Sequence, residues 1–78
     1  MNKKRRKILE EALDLIERAT GMIECVKEEE EEAYDNLPEW LQNSEKWEKI
    51  RQNSWDLWDI QDSLASADEE LLSLLDNN

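Results

Sequence analysis

Histidine and phenylalanine are absent from this chain of 78 residues, and glycine, proline and cysteine occur once each. Each gap removes a class of chemistry. Without histidine, no side chain has an ordinary pKa near neutrality for general acid–base work, and no imidazole is available to a zinc set. The lone Cys25 cannot form an internal disulfide. Neither a histidine nor a glycine-rich helix start stands near to activate its thiol. One glycine cannot build a phosphate loop or a dinucleotide fingerprint. The sequence is therefore expected to be that of a non-enzyme with no cofactor. No metal site is expected either. Asp56, Asp59 and Asp62 recur every three residues, but they lack the glycine turn and closing glutamate of a calcium loop, and carboxylates in a row along a helix cannot wrap a cation.

Long apolar runs are missing too. Lys3-Lys4-Arg5-Arg6-Lys7 looks like the basic head of a signal peptide, but Ile8-Leu9-Glu10-Glu11-Ala12 is too charged to be its apolar region. No segment is long enough to span a bilayer. A cytoplasmic protein without membrane contact is expected, with Cys25 reduced.

What is present is charge: 40% of residues are Asp, Glu, Lys or Arg, and the net charge is -11. With abundant leucine and glutamate, this composition predicts helices, since strands would need more β-branched residues and turn signals. A core in so short a chain supplies only about 3–5 kcal/mol. With disulfide and metal excluded as staples, self-association remains.

Apolar residues at Ile8, Ala12, Leu15, Ala19, Met22 and Val26 step by four and three, with Leu9, Leu13, Ile16 and Ile23 broadening the stripe. This predicts a long amphipathic helix that continues through Thr20-Gly21. Gly21 itself costs roughly 1 kcal/mol against alanine and marks a bend or a close approach by another backbone. Asp35-Asn36-Leu37-Pro38 ends the helix, because the residue before proline is pushed out of helical conformation. Asn36 is a candidate cap, residues 39–42 make at most a short turn, and Ser44 is a preferred N-cap for the next helix. In that helix Trp47, Ile50, Leu57, Ile60, Leu64, Ala67, Leu71 and Leu74 form the stripe, with Trp58, Ala65 and Leu72 on its flank.

The expected fold is all-α, one domain over 1–78, with a helix at about 3–34, a corner at about 35–44 and a helix at about 45–75. Two equal helices joined by a short corner form an antiparallel hairpin. Each stripe is wider than one neighbour covers, so two hairpins are expected to dimerise into a four-helix bundle. Charge supports the hairpin: folding about residue 40 sets Lys3 to Lys7 beside Asp68, Glu69, Glu70 and Asp76, and Glu28 to Glu32 beside Lys46, Lys49 and Arg51. Lys46 or Lys49 would then pair with Glu30, which falls on the apolar stripe.

The acidic balance argues against direct binding of nucleic acid, where phosphate neutralisation dominates affinity. It suits a basic protein partner, including one that itself binds nucleic acid, because opposite charge speeds encounter. The four tryptophans point the same way. Trp40, Trp47 and Trp58 fit the buried side or its flank, whereas Trp55 points away from the Ile50, Leu57 and Leu64 stripe, among Glu48, Asp59 and Asp62. Tryptophan is a favoured interface anchor, so Glu48, Trp55, Asp59 and Asp62 are the candidate partner-binding residues. The alternative is a structural helical protein that only assembles with itself, its acid serving solubility.

The segment Glu30-Glu31-Glu32-Ala33-Tyr34-Asp35-Asn36-Leu37-Pro38-Glu39, followed by Leu41-Gln42-Asn43-Ser44-Glu45, resembles a family of small acidic helical-hairpin proteins of bacteriophages and other mobile elements of Gram-positive bacteria. The likeness covers most of the chain, from basic start to second helix. It implies no activity, cofactor or catalytic residue. It does imply an accessory or anti-defence protein that acts inside a bacterial host by binding, and so inhibiting, a host protein.

Overall fold

The computed structural model describes residues 1–41 and 44–78. Two helices, α1 (Lys3–Asp35) and α2 (Glu45–Asp76), lie antiparallel and are joined by a corner holding a three-residue 3-10 turn, Glu39–Leu41. No strand occurs among the described residues. The hairpin is a rod of 59 × 14 × 14 Å. Its radius of gyration, 17.6 Å, far exceeds the roughly 11–12 Å of a compact chain this long.

Local chemistry sets the helix ends. Asn2 caps α1 by accepting from the Arg5 N–H at 2.8 Å. Asn36 is the C-cap, its N–H donating to the Glu32 carbonyl at 2.9 Å. Ser44 is the N-cap of α2, with Oγ accepting from the Trp47 N–H at 3.4 Å and donating to the Leu41 carbonyl at 2.6 Å. The expected turn reached Gln42, which with Asn43 lies outside the described residues. Gly21 makes no close approach to another backbone. α1 runs through it, and a Cβ there would meet nothing within 4 Å.

Both helices bury a seven-residue repeat. On α1 the inward rows are Leu9, Ile16, Ile23, Glu30 and Leu13, Thr20, Lys27, Tyr34; on α2 they are Ile50, Leu57, Leu64, Leu71 and Trp47, Ser54, Gln61, Asp68, Leu75. This spacing is that of an antiparallel coiled coil. It corrects the sequence-derived stripe of α1, because Ile8, Leu15, Met22 and Val26 are exposed, Leu15 at 62% and Met22 at 69%. On α2 the same holds for Ile60 and Leu74, while Leu75, outside the expected stripe, is the most buried of the described residues at 5%. Trp40 is also misassigned: at 79% exposure it stands free of any core.

Contacts at the two ends account for the rotation of α1. At the corner the Tyr34 and Trp47 rings lie 5.7 Å apart. At the open end the Arg6 guanidinium donates to the Leu75 carbonyl at 2.9 Å. Arg6 and Tyr34 belong to one seven-residue row, so the row between them, Leu13, Thr20 and Lys27, must face α2.

The charge matching of the ends takes an unexpected form. Among the described residues the only ion pair is Arg6 with Glu10, 3.3 Å, within α1. Glu30 pairs with neither Lys46 nor Lys49; it borders a groove with Val26, Asn53, Asp56 and Leu57. Lys3 to Lys7 make no ion pair to α2. Instead Arg6 donates to one of the last carbonyls of α2, that of Leu75, which also accepts from the Asn78 N–H at 3.4 Å, where the helix dipole is negative. A row of cations beginning α1 opposes that helix's own dipole, and the antiparallel neighbour offsets this.

Candidate protein-binding face

At about 100° per residue, Glu48, Trp55, Asp59 and Asp62 lie on one outer strip of α2, well away from the seam, and all four are exposed. The structure thus brings the sequence-derived residues together on one surface. The Trp55 ring is 55% exposed.

Arg51, which the sequence reading did not place here, covers part of it. Its guanidinium sits 4.7 Å from the Trp55 ring centroid and 5.2 Å from that of Trp47. One cation therefore lies between an exposed indole and a half-buried one, which restrains Trp55 and lowers the ordering cost of using it as an anchor. Arg51 also borders a shallow groove between the helices, together with Glu31, Tyr34, Asp35, Trp55 and Trp58. The cationic side chain among these three aromatic rings and two carboxylates is its own. The signal for Arg51 was available, since it precedes Trp55 by one helical turn.

Deeper in the same side lies a charge that sequence reasoning missed. Lys27 is 8% exposed. Its ammonium donates to Gln61 Oε1 at 2.9 Å and sits 3.7 Å from the Trp58 ring centroid. The hydrogen bond and the indole face together compensate its desolvation. Trp58, expected on the flank, is there and half exposed. The place of Lys27 in the α1 row of Leu13, Thr20 and Tyr34 was the signal for it in the sequence.

Among the described residues two buried polar atoms lack partners, Trp47 Nε1 and Asp68 Oδ1. Asp68 sits in a seam row of α2 between Gln61 and Leu75, near Glu17, Thr20 and Glu69. An unpaired carboxylate oxygen there costs stability. Asp68→Leu is expected to raise the thermal midpoint, by about 1–3 kcal/mol of stability; a lowered midpoint in a melting experiment would mean that Asp68 has a partner in solution.

No group of three or more His, Cys, Asp or Glu residues among those described is placed to hold a metal ion, and Cys25 is free and exposed on the outer side of α1. No described helix is long and apolar enough to cross a membrane. Comparison with family models, curated proteins and solved structures returned no match.

Proposed function

We propose that the chain is a non-enzymatic acidic binding protein that captures a basic protein surface and acts as a homodimer. The observation that carries this reading is the outer strip of α2, where exposed Trp55, held by Arg51, stands among Glu48, Asp59 and Asp62. A rigid aromatic anchor ringed by carboxylates offers both a hot spot and steering for a cationic partner. The resemblance to small acidic proteins of phages and mobile elements points to a host bacterial protein as the inhibited partner in an anti-defence role, and the acidic strip suits one that is basic or binds nucleic acid.

Charge density refines this. A net charge of -11 over 59 Å is about one charge per 5 Å, against about one per 1.7 Å in duplex DNA. One hairpin cannot imitate a duplex along its length. Occupation of a nucleic-acid groove would depend on the local strip.

The test is capture from a bacterial lysate at low and high salt, with the wild type compared against a variant combining Trp55→Ala, Asp59→Asn and Asp62→Asn. A partner released by salt and lost in the variant is the expected result. The tryptophan should account for about 2 kcal/mol or more, and the carboxylates for a further loss that shrinks with screening. Recovery of the bait alone would favour the second reading, self-assembly without a charged target, which the exposed Ile8, Leu15 and Met22 row independently supports.

A further inference from the structure

No side chain among the described residues is fully buried, and one side of the rod is an uncovered apolar face. On α1, Ile8, Leu15 and Met22 stand exposed at seven-residue steps, backed by Ala12, Ala19 and Val26. On α2, exposed Ile60 and Leu74 lie on the same side. Val26 and Asn53 border one groove, and Ile60 is one seven-residue step beyond Asn53. This is the side opposite Trp55 and Trp58. The face ends before the corner, where α1 carries Glu28 to Glu32 and α2 carries Lys49, Asn53 and Asp56.

We propose that this face docks a second copy of the chain with the two-fold axis along the rod, so that α1 of each copy packs against α2 of the other and both corners stand at one end. The inference rests on the homodimer reading and supplies its geometry. Three observations carry it. First, the six large exposed side chains Ile8, Leu15, Met22, Val26, Ile60 and Leu74 present on the order of 600 Å² of apolar surface, at the upper edge of what monomers leave open and near the ~800 Å² per partner of a stable interface. Second, apolar segments 8–26 of α1 and 57–75 of α2 cover the same length of rod in opposite directions, so parallel copies superpose them without offset.

Third, charge chooses the axis. From Gln52 onward α2 has no lysine or arginine; of its seven acidic residues, Asp56 and Glu70 stand in the row beside Ile60 and Leu74 and border the face. The other two-fold, across the rod, would set α2 against α2 and oppose two acidic segments through the apolar overlap. With the axis along the rod, each α2 lies between two α1 helices. Lys3 to Lys7 then approach the acidic end of α2 in both copies, while Lys46 and Lys49 approach Glu28 to Glu32. Like-charge juxtaposition is what this arrangement avoids. The Trp55 strip remains outside the bundle.

The test is electron paramagnetic resonance distance measurement on full-length Glu39→Cys in a Cys25→Ser background, spin-labelled at the corner, with sedimentation as the measure of mass. A dimer with label separations of about 20–30 Å, a few interaxial spacings of about 8–10 Å, is expected. A dimer whose labels lie near the 59 Å rod length overturns the axis and leaves the homodimer standing. A monomer at high micromolar concentration overturns both. Leu15→Glu should weaken dimerisation at least about tenfold, and Leu72→Glu, on the other side of the rod, should not. Equal effects would place the interface elsewhere.

Discussion

Trp47→Ala should remove most of the folded population, at a cost of about 3 kcal/mol, whereas Trp55→Ala should leave helix content and melting within about 0.5 kcal/mol of wild type. Trp47 lies in the inward row of α2, its ring tilted against Tyr34 and bordered by Arg51, at the end where the chain must turn. Truncated-tryptophan costs of about 3–5 kcal/mol apply to full burial, and half-burial puts Trp47 at the low end. That is still comparable to the ~3–5 kcal/mol that one small core provides. Trp47→Phe is expected to retain most of the stability, because it keeps the ring and removes the unpartnered Nε1. The measurement is urea or thermal unfolding followed by circular dichroism. Unfolding by Trp55→Ala would show α2 rotated, and the proposed binding strip would fall with it.

The second large effect concerns the buried lysine. Gln61→Ala leaves the Lys27 ammonium without its 2.9 Å hydrogen bond, with only the Trp58 face to compensate it. A loss of about 2 kcal/mol is expected. Replacing both residues, as Lys27→Leu with Gln61→Leu, should restore or exceed wild-type stability, since apolar pairs commonly match buried polar ones. The double substitution should also loosen the alignment of the helices, because it removes the one hydrogen bond between side chains of described seam residues, and buried polar contacts in a coiled-coil seam help to set register. A double-mutant cycle in urea measures the coupling. Strict additivity of the single substitutions would show that the two side chains do not interact in solution.

The helices and their limits were legible because their signals are local. Pro38, Asn36 and Ser44 act on the backbone groups next to them, and the observed ends at Asp35 and Glu45 fall within one residue of those expected. The Trp55 strip was legible for a similar reason. Its residues share a face of one helix, so their grouping needs only the helical period. The face of α1 was not legible. Two adjacent apolar rows, one through Ile8 and Leu15 and the other through Leu9 and Ile16, repeat with the same period, and period alone cannot say which meets a neighbour. The sequence reading chose the row through Ile8, and the structure turns that row to solvent.

What the sequence determined by itself was an all-α hairpin with a corner near residue 40, because propensity, capping and hydrophobic period are properties of nearby residues. What only the tertiary structure decided was rotation and pairing. Tyr34 against Trp47 and Arg6 on the Leu75 carbonyl join residues remote in sequence and fix α1 about its axis. That rotation buries Lys27 beside Gln61, leaves Glu30 without the lysine partners its charge suggested, and exposes Ile8, Leu15 and Met22. Each of these depends on which face of one helix meets which face of the other. A periodic pattern on one helix restricts that choice to a few rows, and contacts across the seam select among them.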